Sequence, residues 1–156
     1  GAIIFFEPSG GEHDDLFDEA LDIVSILKYS VDRLSDRLAG LHHSCVRIVT
    51  QGASGLEVYQ DDFSVRCAAT SAPRVVDTCG SGDMVSVGVI DWILSTGIMA
   101  EQLSASVLID GIVAGQRLAA ENCAFAGARG LFKHCGPNYA REVLCKPWTA
   151  YSAAVI

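Results

Sequence analysis

The pattern with the clearest chemical use lies mid-chain, where residues 77–83 read Asp-Thr-Cys-Gly-Ser-Gly-Asp. Two glycines flank a small hydroxylated residue, so successive backbone N–H groups can converge on one point without Cβ clashes. A helix is predicted to start at about Ser81, and its free N–H groups and positive dipole end would face that same point. The segment therefore predicts a site for a phosphate group or a developing negative charge.

Asp83 adds a carboxylate within the first turn of the predicted helix. A carboxylate beside an anion-stabilising turn is what transfer of a phosphoryl group to a hydroxyl requires. The alternative is structural, because glycine and aspartate are also common turn and capping residues at a strand-to-helix junction. The full seven-residue string, with apolar residues on both sides, is more restrictive than a bare Gly-x-Gly-Asp and favours the catalytic interpretation.

This string resembles the signature of the ribokinase-like (PfkB) carbohydrate kinases. The resemblance implies an ATP-dependent kinase that phosphorylates a hydroxyl of a sugar or similar small alcohol. Asp83 would be the base, and Gly80, Ser81 and Gly82 would form the anion hole. It also implies Mg²⁺ with the ATP, and a monovalent cation such as K⁺ held by the Asp77 carboxylate and the Cys79 carbonyl.

A second glycine-containing segment, Thr-Gln-Gly-Ala-Ser-Gly at residues 50–55, directly follows a predicted strand. Taken alone it is typical of a hairpin turn as well as of a nucleotide loop. Ligands of open α/β sheets bind at the carboxyl ends of strands, where this segment and the signature turn are both expected, in one shared cleft. It also resembles the family's T-x-G-x-x-G segment, which contacts ATP phosphates, with Thr50, Gly52 and Gly55 in the matching positions.

Two further segments align with the family in order. Asn122 and Gly127 lie where the family borders the adenine, although small residues here fit tight helix–loop packing equally well. Residues 28–33 (Lys-Tyr-Ser-Val-Asp-Arg) align with the family's K-P-N-x-x-E, with Ser30 for the asparagine and Arg33 for the glutamate that organises magnesium. Asp32 is one position away, which is a rotation of about 100° on a helix. The alternative is that Ser30 simply caps a helix and Arg33 lies on the surface.

Alternation of strands and helices predicts an α/β fold with three α/β/α layers, Rossmann-like and ribokinase-like, around a mostly parallel sheet. Strands are predicted at residues 2–6, 22–27, 45–49 and 56–60, and helices at 14–21, 30–41, 81–94, 103–121 and 137–144. Gly97 is predicted to end the helix that starts at Ser81. The first strand is expected to be buried on both faces, and the helix at 81–94 to be central and buried. The pattern over residues 65–74 is looser and is interrupted by Pro73, whereas residues 124–132 are predicted to be a loop. Val75 and Val76 end an apolar strand-like run before the signature turn.

Composition limits the function classes. The chain has 156 residues, half of them apolar, which is enough for one sizeable core. A formal net charge of −8 argues against nucleic acid or an anionic membrane as the main partner. The six cysteines have no metal-ligand spacing, and we expect them to be reduced thiols in a cytoplasmic protein. The acidic residues between Glu12 and Asp22 predict a solvated helix face rather than a metal site.

The resemblance implies that residues 1–156 are the carboxyl-terminal, ATP-binding part of a kinase domain, with the amino-terminal half and the β-sheet lid absent. The strand at 2–6 would then have an open edge, so we expect a homo-oligomer or pairing with a complementing chain. The alternative is a noncatalytic nucleotide-binding or scaffold domain, which Arg33 favours and Asp83 opposes. A Rossmann-type dehydrogenase is excluded, because no G-x-G-x-x-G follows the first strand.

Overall fold

The computed structural model describes residues 1–8, 15–38 and 44–147. These residues form two compact units. The first unit contains Gly1–Ala68 and Ile98–Val107, and the second contains Ala69–Gly97 and the chain from Leu108 onward. In the described part of the chain, no helix is long and apolar enough to cross a membrane.

The first unit is built around one five-stranded sheet in chain order. Its strands are β1 (Phe5–Phe6), β2 (Ile26–Ser30), β3 (Val46–Thr50), β4 (Leu56–Gln60) and β5 (Phe63–Cys67). The first three strands are parallel, and β4 and β5 are antiparallel to their neighbours, so the sheet is mixed rather than mostly parallel. The reason is the length of the connections. Helices α1 (Asp15–Ile23) and α2 (Val31–Leu38) connect the parallel strands, whereas residues 51–55 and 61–62 are too few for a parallel crossover.

The core of this unit lies between the sheet and its two helices. Leu27 and Tyr29 on β2 and Val49 on β3 are buried against apolar side chains of α1 and α2. The contributing helix residues are Phe17, Leu21, Leu34 and Leu38. Because side chains alternate along a strand, Ile26 and Lys28 of β2 point to the opposite face, and they are buried as well.

Three strand predictions need correction. Helix α1 continues through Ile23, so β2 begins at Ile26 rather than at residue 22. Strand β5 was not predicted, because its outward side chains are exposed and only Val65 and Cys67 are buried, which leaves a weak apolar pattern. The first strand is not buried on both faces, since Phe5 and Phe6 are half-buried and, within the described residues, β1 pairs with β2 alone. An apolar run has the same sequence pattern in a central strand and in an edge strand.

The described part of the second unit contains three helices: α3 (Ser81–Thr96), most of α4 (Ala105–Asn122) and α5 (Gly130–Cys145). Helices α3 and α4 approach each other backbone to backbone. A Cβ on Gly88 of α3 would lie 2.3 Å from the backbone nitrogen of Gly115, and a Cβ on Gly115 would lie 2.6 Å from the Val85 carbonyl oxygen. Three helices thereby bury a compact cluster that contains Met84, Leu118, Leu131, Ala140 and Val143.

Helix α3 begins and ends as predicted, at Ser81 and before Gly97, which has φ 68°. It is buried only in its amino-terminal half, contrary to the prediction for the whole helix, and Leu94 is 77% exposed. Helix α5 contains a break at Gly136 (φ 80°, ψ 169°), after which Pro137 begins the predicted last helix. Its first part from Gly130 was expected to be a loop, because two glycines in this stretch resemble loop composition.

Candidate active site

The signature turn lies at the amino-terminal end of α3. Gly80 adopts a left-handed conformation (φ 76°, ψ 2°), and its carbonyl oxygen accepts the N–H of Met84 at 3.0 Å. The N–H of Ser81 is used within the turn, because it donates to the Thr78 carbonyl at 3.2 Å. The N–H groups of Gly82 and Asp83 have no acceptor among the described residues. Two backbone donors at a helix amino terminus are therefore available to an anion.

Asp83 and Ser81 present different groups to this turn. The Asp83 side chain is exposed and has no hydrogen-bond partner in the part of the chain that the structure describes. The Ser81 hydroxyl instead points inward, with Oγ 3.2 Å from Sγ of the buried Cys123. Asp83 is therefore accessible to a hydroxyl-bearing substrate, whereas the Ser81 hydroxyl contacts Cys123 and its N–H is bonded to Thr78.

The segment before the turn is not a strand. Val75 and Val76 are exposed, and no strand is formed there. The segment is held instead by Cys123, whose carbonyl oxygen accepts the N–H of Val76 at 2.8 Å and that of Asp77 at 3.2 Å. The end of α4 therefore does the positioning that a strand was expected to do.

Asp77 connects the signature turn to a second loop. Its Oδ1 accepts the N–H of Cys79 at 2.9 Å, and its Oδ2 accepts the N–H of Gly127 at 2.7 Å. These two bonds, the one from Cys79 first, hold the pKa of the Asp77 carboxyl below its ordinary value. The carboxylate is therefore ionised at neutral pH and is stabilised by backbone donors on both sides.

Asn122 is fully buried at 0% exposure, between the same two segments. Its Oδ1 accepts the N–H of Leu131 at 3.0 Å, and its Nδ2 lies 3.4 Å from the carbonyl oxygens of both Cys79 and Ala128. The structure therefore brings together, in the second unit, Asp77, Cys79, Gly80, Asn122 and Gly127. Sequence reasoning selected these residues for ligands and did not foresee their hydrogen bonds to one another.

The other predicted phosphate-binding segment lies in the first unit. Residues 51–55 form the connection between the antiparallel strands β3 and β4, with a short 3₁₀ turn at Gly52–Ser54 and a bond from Gln51 N–H to the Gly55 carbonyl at 2.8 Å. Thr50, the last residue of β3, has its Oγ1 3.4 Å from the Tyr29 carbonyl. The segment is thus a hairpin loop at the carboxyl end of a strand, and its shared cleft with the signature turn stays a prediction.

An ion pair between a buried lysine and a partly exposed glutamate joins the end of β1 to the middle of β2. The parallel register pairs Phe6 with Leu27, so the next residues, Glu7 and Lys28, are neighbours and form an ion pair. Lys28 is only 2% exposed, which makes it the one charged side chain among the fully buried residues described. Sequence reasoning missed the pair. A lysine within an apolar buried strand was the signal that could have found it.

The remaining residues of the magnesium-associated alignment lie at the start of α2. Ser30 ends β2, and the side chains of Asp32 and Arg33 are both exposed. An arginine has hydrogen-bond donors only and cannot ligate a cation, so Arg33 does not fit the role of the glutamate. Among the described residues, no group of three or more His, Cys, Asp or Glu could hold a metal ion.

The chain resembles known proteins in both sequence and fold. A family model described as pfkB family carbohydrate kinase matches residues 17–126. No curated protein sequence gives a match to this chain. Among solved structures, aminoimidazole riboside kinase from Salmonella enterica, complexed with aminoimidazole riboside and an ATP analog, gives a TM-score of 0.68 at 21% identity, covering 91% of this chain and 52% of that one.

Two further structures are similar. Ribokinase from Giardia lamblia gives a TM-score of 0.66 at 16% identity, covering 81% of this chain and 46% of that one. A fructokinase double mutant from Vibrio cholerae O395, in a form with fructose, ADP and potassium ion bound, gives 0.57 at 19% identity, covering 71% and 38%. The chain thus spans about half the length of the first two structures.

The likeness confirms the predicted three-layer, ribokinase-like fold class. The match of the sequence to the family model covers well over half of the chain and confirms the resemblance found in residues 77–83. The chain belongs to the pfkB family of carbohydrate kinases.

Proposed function

We propose that this chain is the ATP-binding part of a phosphotransferase that moves the γ-phosphoryl group of ATP to a hydroxyl of a sugar or similar small alcohol. The observation that carries the proposal is the start of α3, where the N–H groups of Gly82 and Asp83 are free and the Asp83 carboxylate is exposed in the same turn. Donors of this kind stabilise charge on a transferred phosphoryl group, and the carboxylate can accept a proton from the acceptor hydroxyl.

The reaction follows from these two groups. Asp83 orients the acceptor hydroxyl and takes its proton, while the hydroxyl oxygen forms a bond to the γ-phosphorus and the bond to the ADP oxygen breaks. The free N–H groups of Gly82 and Asp83 in this turn bind the transferred group. Because phosphoryl transfer has a loose transition state, a weak base suffices and the proton can leave late.

The nucleotide is proposed to bind through Thr50, Gly52 and Gly55 at its phosphates. The loop that Asn122 and Gly127 shape would border the adenine. The riboside and ATP analog in the Salmonella enterica kinase structure support a sugar-containing acceptor and an ATP donor.

Two cations are proposed beside the nucleotide. Mg²⁺ bound with ATP would neutralise phosphate charge, and because Arg33 does not fit as a ligand, the ATP phosphates and water would hold it. The Asp77 carboxylate and Cys79 carbonyl fit a monovalent cation, since each of their oxygens has a single hydrogen bond and can accept a further interaction. Such a cation would add positive charge beside the anion turn.

A noncatalytic nucleotide-binding domain is the second candidate, and the exposed Arg33 at the magnesium-associated position favours it. Substitution of Asp83 separates the two. In the protein with a sugar or riboside acceptor, Asp83→Asn is expected to lower turnover by roughly 10²–10⁴-fold and to change ATP affinity by only a few-fold. Asp91→Asn, two turns later on the same helix, is the matched control and should leave both unchanged.

The measurements are ADP release with a panel of sugars and ribosides, and calorimetric titration with ATP and Mg²⁺. Near-normal turnover after Asp83→Asn would show that another group is the base. ATP binding without ADP release for every acceptor would favour the noncatalytic domain.

A further inference from the structure

We propose that Asp77 and Asn122 are positioning residues. Together they hold the signature turn, residues 77–83, against the loop at residues 123–131, and we name this arrangement the clasp. Its kinetic consequences rest on the proposed function, but the clasp itself can be measured without any activity.

Asp77 supplies the ionic part of the clasp. One carboxylate oxygen accepts the N–H of Cys79 inside the turn, and the other accepts the N–H of Gly127, fifty residues away, at 2.7 Å. Hydrogen bonds to an ionised acceptor are about twice as strong as neutral ones. A single side chain thus fixes the local shape of the turn and its distance from the loop.

Asn122 supplies the buried part. Its amide offers one acceptor to Leu131 and donors toward the carbonyl oxygens of Cys79 and Ala128. An aspartate in this place would keep the acceptor but turn an oxygen toward two carbonyl oxygens. An alanine would leave the buried Leu131 N–H without its partner, which is costly. The amide is therefore the side chain of this size that matches its three neighbours.

The clasp ends directly before the free donors of the turn. Val76 and Asp77 are held by the Cys123 carbonyl, and Gly80 approaches Ala128 so closely that a Cβ would lie 2.6 Å from the Ala128 carbonyl oxygen. The next N–H groups without acceptors in the described chain are those of Gly82 and Asp83. Donors that are already oriented need no reorganisation when charge develops, and a misplacement of about 1 Å can cost about 10²-fold in rate.

The test uses Asp77→Asn and Asn122→Asp, with the exposed Asn138→Asp on α5 as the matched control. Asp77→Asn removes one acceptor and places an NH₂ group against an N–H donor. Amide hydrogen exchange by mass spectrometry is followed for residues 77–83, for 123–131 and for β2 and β3. Both clasp variants should speed exchange about tenfold or more in both the turn and the loop, and leave β2 and β3 and the control variant unchanged.

Kinetics provide a second readout. We expect turnover to fall by about 10–100-fold in both clasp variants, with the KM for ATP changed only a few-fold, because the lost contacts orient donors for the transferred group. Asn122→Gln, which keeps the amide, should recover more of the turnover than Asn122→Asp. If Asn122→Asp does not fold, the test rests on Asp77→Asn alone, because Asp77 is half-exposed and its substitution is better tolerated.

Three results would overturn the clasp. These are faster exchange only in the substituted segment, no change in either segment, and protection of the turn in wild-type protein only when potassium is present. Exchange that rises in both segments while no form of the protein transfers phosphoryl groups would support the clasp and count against the proposed function.

Discussion

Replacement of Gly80 by alanine tests how tightly the signature turn is packed. Gly80 has φ 76°, and a Cβ there would lie 2.6, 2.7 and 2.8 Å from the carbonyl oxygen, Cα and Cβ of Ala128. The left-handed conformation costs a non-glycine residue about 1–2 kcal/mol. Overpacking adds about 1–3 kcal/mol, because two of the three contacted atoms are backbone and cannot rotate away. We expect Gly80→Ala to lower the free energy of unfolding by about 2–5 kcal/mol.

Gly97 provides the matched control at the other end of the same helix. It has φ 68°, and a Cβ there would meet no atom within 4 Å. Gly97→Ala should therefore cost only the conformational part, about 1–2 kcal/mol. The difference between the two variants, about 1–3 kcal/mol, measures the close approach to Ala128.

Equilibrium urea unfolding of the two variants and of the wild type gives these values, provided that the m-value stays constant. Ala128→Gly combined with Gly80→Ala should recover only part of the loss, since it removes one of the three close contacts. Equal destabilisation by Gly80→Ala and Gly97→Ala would refute the reasoning, because the backbone of the loop would then yield without cost.

Three other predictions follow from the first unit. Glu7→Gln removes the negative charge that pairs with the buried Lys28 and should destabilise by about 1–4 kcal/mol in urea unfolding. Glu7→Gln with Lys28→Met should be more stable than Glu7→Gln alone. Burial, followed by the hydrogen bond to Glu57, raises the pKa of Tyr59 from 10.0 to about 12. Its contribution to stability is therefore complete below pH 10 and lost as the pH rises to about 12, and Tyr59→Phe should remove this part of the alkaline loss in unfolding scans. The polypeptide of residues 1–156 should self-associate through β1, because β2 is the only described strand that pairs with it. A constant monomer mass in light scattering up to high micromolar concentration would contradict this.

Local signals in the sequence determined most of the elements. Helix α3 starts at Ser81 and stops before Gly97, and the last helix restarts at Pro137, as predicted. These boundaries depend on glycine and proline, whose backbone preferences act within a few residues. The string at residues 77–83 was likewise readable, because its glycines and aspartates are contiguous.

Tertiary structure decided which of these residues meet. The bonds from Asp77 to Gly127 and from Asn122 to Cys79 join residues that are 50 and 43 positions apart. The Glu7–Lys28 pair depends in the same way on the register between two parallel strands. No local pattern encodes such contacts, since they arise only when strands and helices pack and each buried polar group must find a partner. The sequence by itself thus determined the family and the turn that carries the proposed chemistry, and the fold decided that Asp77 and Asn122 hold that turn in place.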